Sequence, residues 1–173
     1  GVGRLLCQWA AHIGSTVIGT VGSEDKAAAA KASGCAHTIL YRETDFKAAV
    51  MEITNGRGVD VAYDSVGADT FSSSLKCLAP CGHLVNYGQS SGPVEPLAMT
   101  TLAANSLTVS RPILFHYMTD PAQYKSMART VFDMLGTGIL TPDTPLPLPL
   151  ADAAKAHDIL EGRIGGGALV LIP

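Results

Sequence analysis

The sequence predicts an α/β protein built on a doubly wound, mostly parallel sheet with helices on both faces. Short apolar segments rich in β-branched residues alternate with segments of helical spacing along most of the chain. Glycines such as Gly14, Gly34 and Gly88 separate the two kinds of segment, where turns are expected. At 173 residues the chain is long enough to bury a substantial core.

The first half of the chain alternates strands and helices without interruption. A helix from Arg4 is ended by Gly14, and Ser23 is a good N-cap for the helix that follows the first strand. Pro80, Cys81 and Gly82 are expected to form a turn. The predicted order is helix 4–12, strand 16–21, helix 24–33, strand 36–41, helix 45–54, strand 59–63, helix 70–78 and strand 83–87.

The second half is less regular. Residues 107–109 predict the last strand of the wound sheet, and residues 121–135 have the spacing of an amphipathic helix. Four prolines within residues 141–149 exclude a helix or a central strand there. A short helix at 151–161 and a strand at 168–172 complete the pattern.

Composition argues against several classes of partner. Hydrophobic residues make up 47% of the chain and the net charge is −3, without blocks of like charge, so a nucleic-acid partner is not expected. No apolar run reaches the ~18 residues of a membrane span, and no signal peptide is recognisable. The scattered cysteines favour reduced thiols, a cytoplasmic location and no metal site; they are Cys7, Cys35, Cys77 and Cys81.

The strand at residues 59–63 organises the functional prediction. Asp64 and Ser65 stop it, and a tight turn at Gly67 leads into the next helix. Ligands of open α/β sheets lie outside the carboxyl ends of the strands, so Asp64, Ser65 and Gly67 are expected at the mouth of a crevice. A glycine-containing loop without a ligand is the alternative.

The first residues, Gly1, Val2 and Gly3, resemble the end of a glycine-rich phosphate loop. Such a turn opens a helix whose free N–H groups hold a pyrophosphate, and it normally follows a strand. No strand precedes it in this sequence. We therefore expect the first strand of the sheet to be missing from residues 1–173.

The tip of the strand at 16–21 predicts which nucleotide binds. An NAD site would carry an acidic residue at this tip, about 20 residues after the glycines. Here Gly22 and Ser23 are small and uncharged, Glu24 and Asp25 are explained by helix capping, and Lys26 follows. This pattern favours a 2′-phosphate and hence NADPH. The alternative for Lys26 is a solvated surface lysine.

Together these motifs resemble one family. The motifs lie at residues 1–3, 20–26, 41–43, 56–60, 63–67, 87–92, 110–112 and 169–173. In this order they resemble the zeta-crystallin-type NADPH:quinone oxidoreductases of the medium-chain dehydrogenase/reductase superfamily, and the resemblance implies a Rossmann-type cofactor domain.

The resemblance implies a zinc-independent enzyme that transfers hydride from NADPH to a quinone or related enone as a homodimer. Its members continue before residue 1, so the chain is expected to be an inactive cofactor-domain fragment. The NADP(H)-binding domain is expected at 1–112, and residues 113–173 would return to the absent substrate domain.

By position, the resemblance implies several groups of cofactor contacts, and it assigns no catalytic residue. For Tyr41, the alternative to a cofactor contact is an aromatic residue that closes a strand end. For Arg163, the alternative is a surface arginine at the end of a helix. The implied contacts are Gly1, Val2 and Gly3 at the pyrophosphate; Gly22, Ser23, Lys26 and Tyr41 at the 2′-phosphate; Ser65, Val66 and Gly67 at the strand end; Tyr87, Gly88 and Gln89 near the nicotinamide; and Arg163 late in the chain.

Two other classes of function remain open from the sequence. One is a non-catalytic nucleotide-binding or structural role. The other is a different Rossmann-type enzyme, such as an S-adenosylmethionine-dependent methyltransferase. That class favours an acidic residue at the tip of the strand at 16–21, where Gly22 stands here.

Overall fold

The computed structural model describes residues 1–162 and 168–173 of the chain. These residues form two compact units, each assembled from separate stretches of sequence. The first unit comprises Gly1–Gly19, Ala28–His37 and Arg129–Pro173, and the second comprises Thr20–Ala27 and Thr38–Ala128. The domain division expected after residue 112 stays a prediction.

Helices and strands alternate through most of the described chain, as the sequence predicts. The helices are α1 (Val2–His12), α2 (Glu24–Ala32), α3 (Phe46–Ile53), α4 (Phe71–Lys76), α5 (Met99–Ala103), α6 (Leu114–Tyr117), α7 (Pro121–Gly136) and α8 (Ala153–Glu161). The strands are β1 (Ile18–Val21), β2 (His37–Leu40), β3 (Val59–Asp64), β4 (Leu78–Asn86), β5 (Thr108–Ser110), β6 (Leu146–Pro149) and β7 (Leu169–Ile172).

The strands pair in three groups, in the orders β1-β2, β3-β4-β5 and β6-β7. Strand β4 runs parallel to both β3 and β5, and β6 runs parallel to β7. The predicted parallel α/β class is therefore confirmed. In a doubly wound sheet, the strand ahead of the first glycine turn pairs with strands on both of its sides. The described residues hold no strand ahead of α1, and β1-β2 is not hydrogen-bonded to β3-β4-β5.

The core of the second unit lies where α4 packs on the β3-β4-β5 sheet. Leu84 is 0% exposed and contacts a cluster that includes Phe71, Leu75 and Leu78. Burying a side chain of this size contributes about 1.5–3 kcal/mol. Apolar side chains from both neighbouring strands and from the segment after β4 complete the cluster, namely Val59, Ala62, Val94, Leu97, Leu102, Leu107 and Val109.

In the first unit, the polar face of α1 is bonded to the segment that follows α7. Arg4 forms an ion pair with Asp143, and its Nε donates to Ser33 Oγ at 3.0 Å. Gln8 accepts from the backbone N–H of Thr141 at 3.0 Å and donates to the Thr141 hydroxyl at 2.9 Å. These reciprocal bonds fix the start of α1, which carries the predicted glycine turn.

Some elements differ from the sequence prediction. Strand β4 begins at Leu78 and continues through Pro80 and Gly82, where a turn was expected. The expectation reflects a real irregularity, because Cys81 has a φ of 63° and the pairing with β3 shifts between Val59 and Val61. The helix α6 was not predicted.

The prolines near the end of the chain are compatible with an edge strand. Pro147 and Pro149 lie in β6, opposite Val170 and Ile172 of β7. A proline lacks the N–H that a central strand would donate, so it is tolerated where one edge is unpaired. The exclusion of a helix is confirmed. Among the described residues β6 pairs with β7 alone, the edge strand itself was not predicted, and the exclusion of a central strand stays a prediction.

Candidate functional site

The ends of β1 and β2 meet around Gly22. The Tyr41 backbone N–H donates to the Val21 carbonyl at 3.1 Å, which aligns the two strand ends. A Cβ built on Gly22 would lie 3.4 Å from both Tyr41 Oη and Arg42 Nε. We call Gly22, Tyr41 and Arg42 the strand-end cradle. It combines a backbone without a side chain, a phenol hydroxyl and a guanidinium, which are groups suited to a phosphate.

Two further predicted residues lie at the start of α2. Ser23 precedes the helix and Lys26 lies in its first turn, and both side chains are exposed. The first turn also contains Glu24 and Asp25, as expected for the positive end of the helix dipole. Lys26 is therefore available to an anion arriving from solvent, but its role stays a prediction.

Arg42 is the functional candidate that sequence reasoning missed. Its guanidinium lies beside Gly22 as closely as the hydroxyl of Tyr41 does, and its side chain is exposed. The available signal was its position, because a cation directly after Tyr41 follows the carboxyl end of a predicted strand. Arginine binds phosphate oxygens through a planar fork of N–H donors.

The ends of β3 and β4 carry the second group of predicted residues. The Ser90 N–H donates to the Ser65 carbonyl at 3.2 Å, and the Ser91 N–H donates to the Val66 carbonyl at 2.8 Å. In the other direction, the Ala68 N–H donates to the Gly92 carbonyl at 3.2 Å. We call residues 64–68 and 87–92 the double loop. It contains Ser65, Val66, Gly67, Tyr87, Gly88 and Gln89, so the structure brings these six together.

Two glycines of the double loop have no room for a side chain. Gly67 has a φ of 91°, and a Cβ there would lie 2.7 Å from the Gly92 carbonyl oxygen. A Cβ on Gly88 would lie 2.7 Å from the Ser65 carbonyl oxygen. Backbone therefore packs directly on backbone between the two halves of the loop, so these glycines are explained by packing as well as by ligand approach.

Asp64 differs from the sequence expectation. It was expected at the mouth of a crevice with Ser65 and Gly67, but it is 4% exposed. Its carboxylate accepts from the backbone N–H groups of Val66 at 2.8 Å and Gly67 at 3.0 Å. A charged acceptor forms stronger hydrogen bonds with these backbone N–H groups than water would. The Asp64 side chain therefore points into its own turn instead of into solvent.

The predicted pyrophosphate residues open α1. Gly1, Val2 and Gly3 are exposed, and the Gly1 carbonyl accepts from the Arg4 N–H at 3.1 Å. The first turn of α1 contains no acidic residue, so nothing there opposes an anion. Their role stays a prediction. Arg163 lies outside the described residues.

The ionisable groups of the described residues form isolated pairs and do not assemble a metal centre. His83 Nε2 lies 2.8 Å from Ser110 Oγ, which links β4 to β5. Cys35 Sγ donates to Cys7 Sγ at 3.3 Å, and burial, with this bond, raises the pKa of Cys35 to about 12. Within residues 1–162 and 168–173, no three His, Cys, Asp or Glu side chains are grouped to hold a metal ion.

Residues 1–137 match the family model described as zinc-binding dehydrogenase. The chain belongs to this zinc-binding dehydrogenase family. Despite the family's description, the described side chains do not fit a zinc ion, which would need about four grouped nitrogen, sulfur or oxygen ligands. No described helix has the length and apolarity needed to cross a membrane.

Within this family, the similarity to quinone reductases is confirmed. The chain is 42% identical to the 2-haloacrylate reductase of a Burkholderia species and 41% identical to quinone oxidoreductase 1 of Escherichia coli, with all of the chain covered in both cases. It covers 53% and 54% of these proteins, so it spans about half the length of the curated relatives it matches.

The fold agrees with the same relatives. The crystal structure of Escherichia coli quinone oxidoreductase complexed with NADPH superposes with a TM-score of 0.92 at 41% identity. All of the chain and 54% of that structure are covered. The described residues therefore have the parallel α/β fold of the cofactor-binding part of this relative.

Proposed function

We propose that the protein is an NADPH-dependent reductase of a quinone or a related enone, and that residues 1–173 supply its cofactor-binding part. The strand-end cradle carries the proposal. It has a guanidinium and a phenol where an NAD site would have a carboxylate for the ribose hydroxyls. A relative with 41% identity and the same fold is described in complex with NADPH, which supports the assignment.

In this proposal each end of the cofactor meets a different set of strand ends. The 2′-phosphate would enter the strand-end cradle, with Ser23 and Lys26 contributing from the start of α2. The N–H groups at Gly1, Val2 and Gly3 would face the pyrophosphate, because the start of α1 carries a partial positive charge. The double loop would lie along the remaining part of the dinucleotide. Arg163, which lies outside the described residues, would be a further cofactor contact.

The nicotinamide ring supplies the hydride, and the protein contributes binding, orientation and exclusion of water. We assign no catalytic residue among the described residues. The substrate would be small, and its pocket would be completed by polypeptide beyond residues 1–173.

The test compares NADPH and NADH binding to the full-length protein by calorimetry. NADPH should bind more tightly, and Lys26→Ala and Arg42→Ala should each weaken NADPH roughly tenfold or more, as expected for one lost charge-assisted phosphate contact. Lys31→Ala is the matched control, because Lys31 is an exposed lysine in the last turn of α2. Stronger binding of NADH, or no effect of either Lys26→Ala or Arg42→Ala, would contradict the 2′-phosphate assignment.

We further propose that the protein self-associates and is cytoplasmic. Exposed apolar side chains support association, notably Leu114 at 68% and Phe115 at 75% exposure, which are costly to leave in water. The four cysteines are free thiols in the described structure, as a reducing compartment would keep them. Light scattering at micromolar concentration tests the association, and a monomer would contradict it.

A further inference from the structure

The carboxylate of Asp64 is the centre of a hydrogen-bond network in which every donor from residues 1–162 and 168–173 is neutral. In addition to the N–H groups of Val66 and Gly67, it accepts from the Thr70 hydroxyl, 2.9 Å from both carboxylate oxygens. The Ser74 hydroxyl donates to Oδ2 at 3.2 Å. A buried charge is tolerated when neutral donors surround it in this way.

This network decides what the Ser65–Gly67 turn can offer to a ligand. The N–H groups of Val66 and Gly67 already donate to Asp64, and the carbonyls of Ser65 and Val66 already accept from the opposite loop. A buried negative charge directly beneath the turn also repels anions. The turn is therefore suited to shape a surface against an uncharged group, and it is unsuited to bind a phosphate.

The network also couples the two halves of the double loop. The Tyr87 N–H donates to the Asp64 carbonyl at 2.9 Å, and the Ser91 hydroxyl donates to the Val66 carbonyl at 2.8 Å. The amide of Asn86, which is 2% exposed, donates to the Gly88 carbonyl at 3.0 Å. A change in the position of residues 65–67 would therefore also displace residues 87–91.

We propose that Asp64 is a positioning residue: its carboxylate holds the double loop in place against the uncharged nicotinamide-riboside end of NADPH. The inference rests on the proposed NADPH-dependent function and deepens it, because it assigns a role to a buried carboxylate that is not itself a proposed cofactor contact. Asp64 serves the uncharged end through the loop, while the strand-end cradle serves the 2′-phosphate.

The experiment uses the full-length protein and two ligands. Binding of NADPH and of adenosine 2′,5′-bisphosphate, which lacks the nicotinamide-riboside end, is measured by calorimetry for the wild type, Asp64→Ala and Thr70→Val. The matched control is Thr54→Val. The Thr54 hydroxyl also fixes a loop, since it donates to the Val50 carbonyl at 2.8 Å and accepts from the Gly58 N–H at 2.9 Å, but this loop precedes β3.

We expect Asp64→Ala to weaken the affinity for NADPH about tenfold or more, and Thr70→Val to weaken it about threefold to tenfold. A displaced double loop would lose contacts with the nicotinamide-riboside end. Both variants should bind the bisphosphate within about twofold of the wild type, and Thr54→Val should leave both ligands unchanged. In turnover, KM for NADPH and kcat should both change, because the loop orients the reacting ring. Thr70→Val removes one hydroxyl and keeps the side-chain shape, so it tests the proposal even where Asp64→Ala does not fold.

Several results would overturn the proposal. Unchanged NADPH binding in Thr70→Val would show that the network supports stability alone. An equal loss of both ligands would show a general loss of structure instead of a positioning role. A wild type that binds the bisphosphate but gains nothing from the nicotinamide end would refute the role of Asp64 and leave the cradle intact. A wild type that binds neither ligand would refute the proposed function and, with it, this inference.

Discussion

The substitution Gly22→Ala separates folding from cofactor binding in the strand-end cradle. The φ of Gly22 lies outside the left-handed region, and an added Cβ would meet Tyr41 Oη and Arg42 Nε at 3.4 Å, an ordinary contact distance. Alanine also lowers the conformational entropy of the unfolded chain, which stabilises a compatible site by about 0.4–1 kcal/mol. The free protein should therefore be as stable as the wild type or slightly more stable.

NADPH binding should respond in the opposite direction. The added methyl group would occupy the space between the hydroxyl and the guanidinium that the proposed 2′-phosphate needs. Overfilling a packed site costs about 1–3 kcal/mol, which corresponds to roughly a 5-fold to 150-fold rise in Kd. NADH has no 2′-phosphate, so its affinity should change much less and the preference for NADPH should fall.

The assay combines thermal denaturation without ligand with calorimetric titration of NADPH and NADH. Gly136→Ala is the matched control, because a Cβ at Gly136 meets nothing within 4 Å and its φ is also outside the left-handed region. The control should leave both affinities unchanged. Unchanged NADPH affinity in Gly22→Ala would refute the assignment of the 2′-phosphate to this cradle, and a large loss of stability would refute the contact argument itself.

Three further predictions concern stability and thiol chemistry. Gly88→Ala should lower the free energy of unfolding in denaturant titrations by about 1–3 kcal/mol, because the new Cβ meets the Ser65 carbonyl oxygen at 2.7 Å; wild-type stability would contradict the double-loop packing. Leu84→Ala should cost about 2–5 kcal/mol in the same titration, since Leu84 is 0% exposed; a loss below that range would place the core elsewhere. Iodoacetamide should alkylate exposed Cys81 before Cys77 and Cys35 in mass-spectrometric time courses, because burial raises the pKa of Cys77 to about 11 and of Cys35 to about 12. For the same reason the folded state favours the neutral thiols, so the stability they contribute is present below pH 9.0 and is lost as the pH rises through about 11 and about 12.

Local signals were sufficient to predict most elements. The helix at residues 45–54 was expected from its apolar spacing, and in the structure Asp45 caps α3 by accepting from the N–H groups of Lys47 and Ala48. The strand at 59–63 and its ending at Asp64 and Ser65 were also confirmed. These features depend on neighbours within a few residues, so the sequence contains their cause directly.

Features that depend on distant segments could not be predicted in the same way. The continuation of β4 through Pro80 and Gly82 depends on pairing with β3, which overrides the local turn signal. The inward position of Asp64 depends on donors that extend to Ser74, ten residues away. The location of Asp64 near a strand end predicted a position at the mouth of a crevice, but a carboxylate can equally satisfy the backbone of its own loop.

The sequence by itself determined the parallel α/β class, the positions of the glycine turns and the absence of an acidic residue at the tip of β1, because each follows from the local order of residue types. Tertiary structure decided that Arg42 stands beside Tyr41 at Gly22 and that Asp64 joins the network behind the double loop. The physical reason is that a hydrogen-bonding group takes whichever partner the folded chain brings within about 3 Å, and spacing along the sequence does not specify that partner.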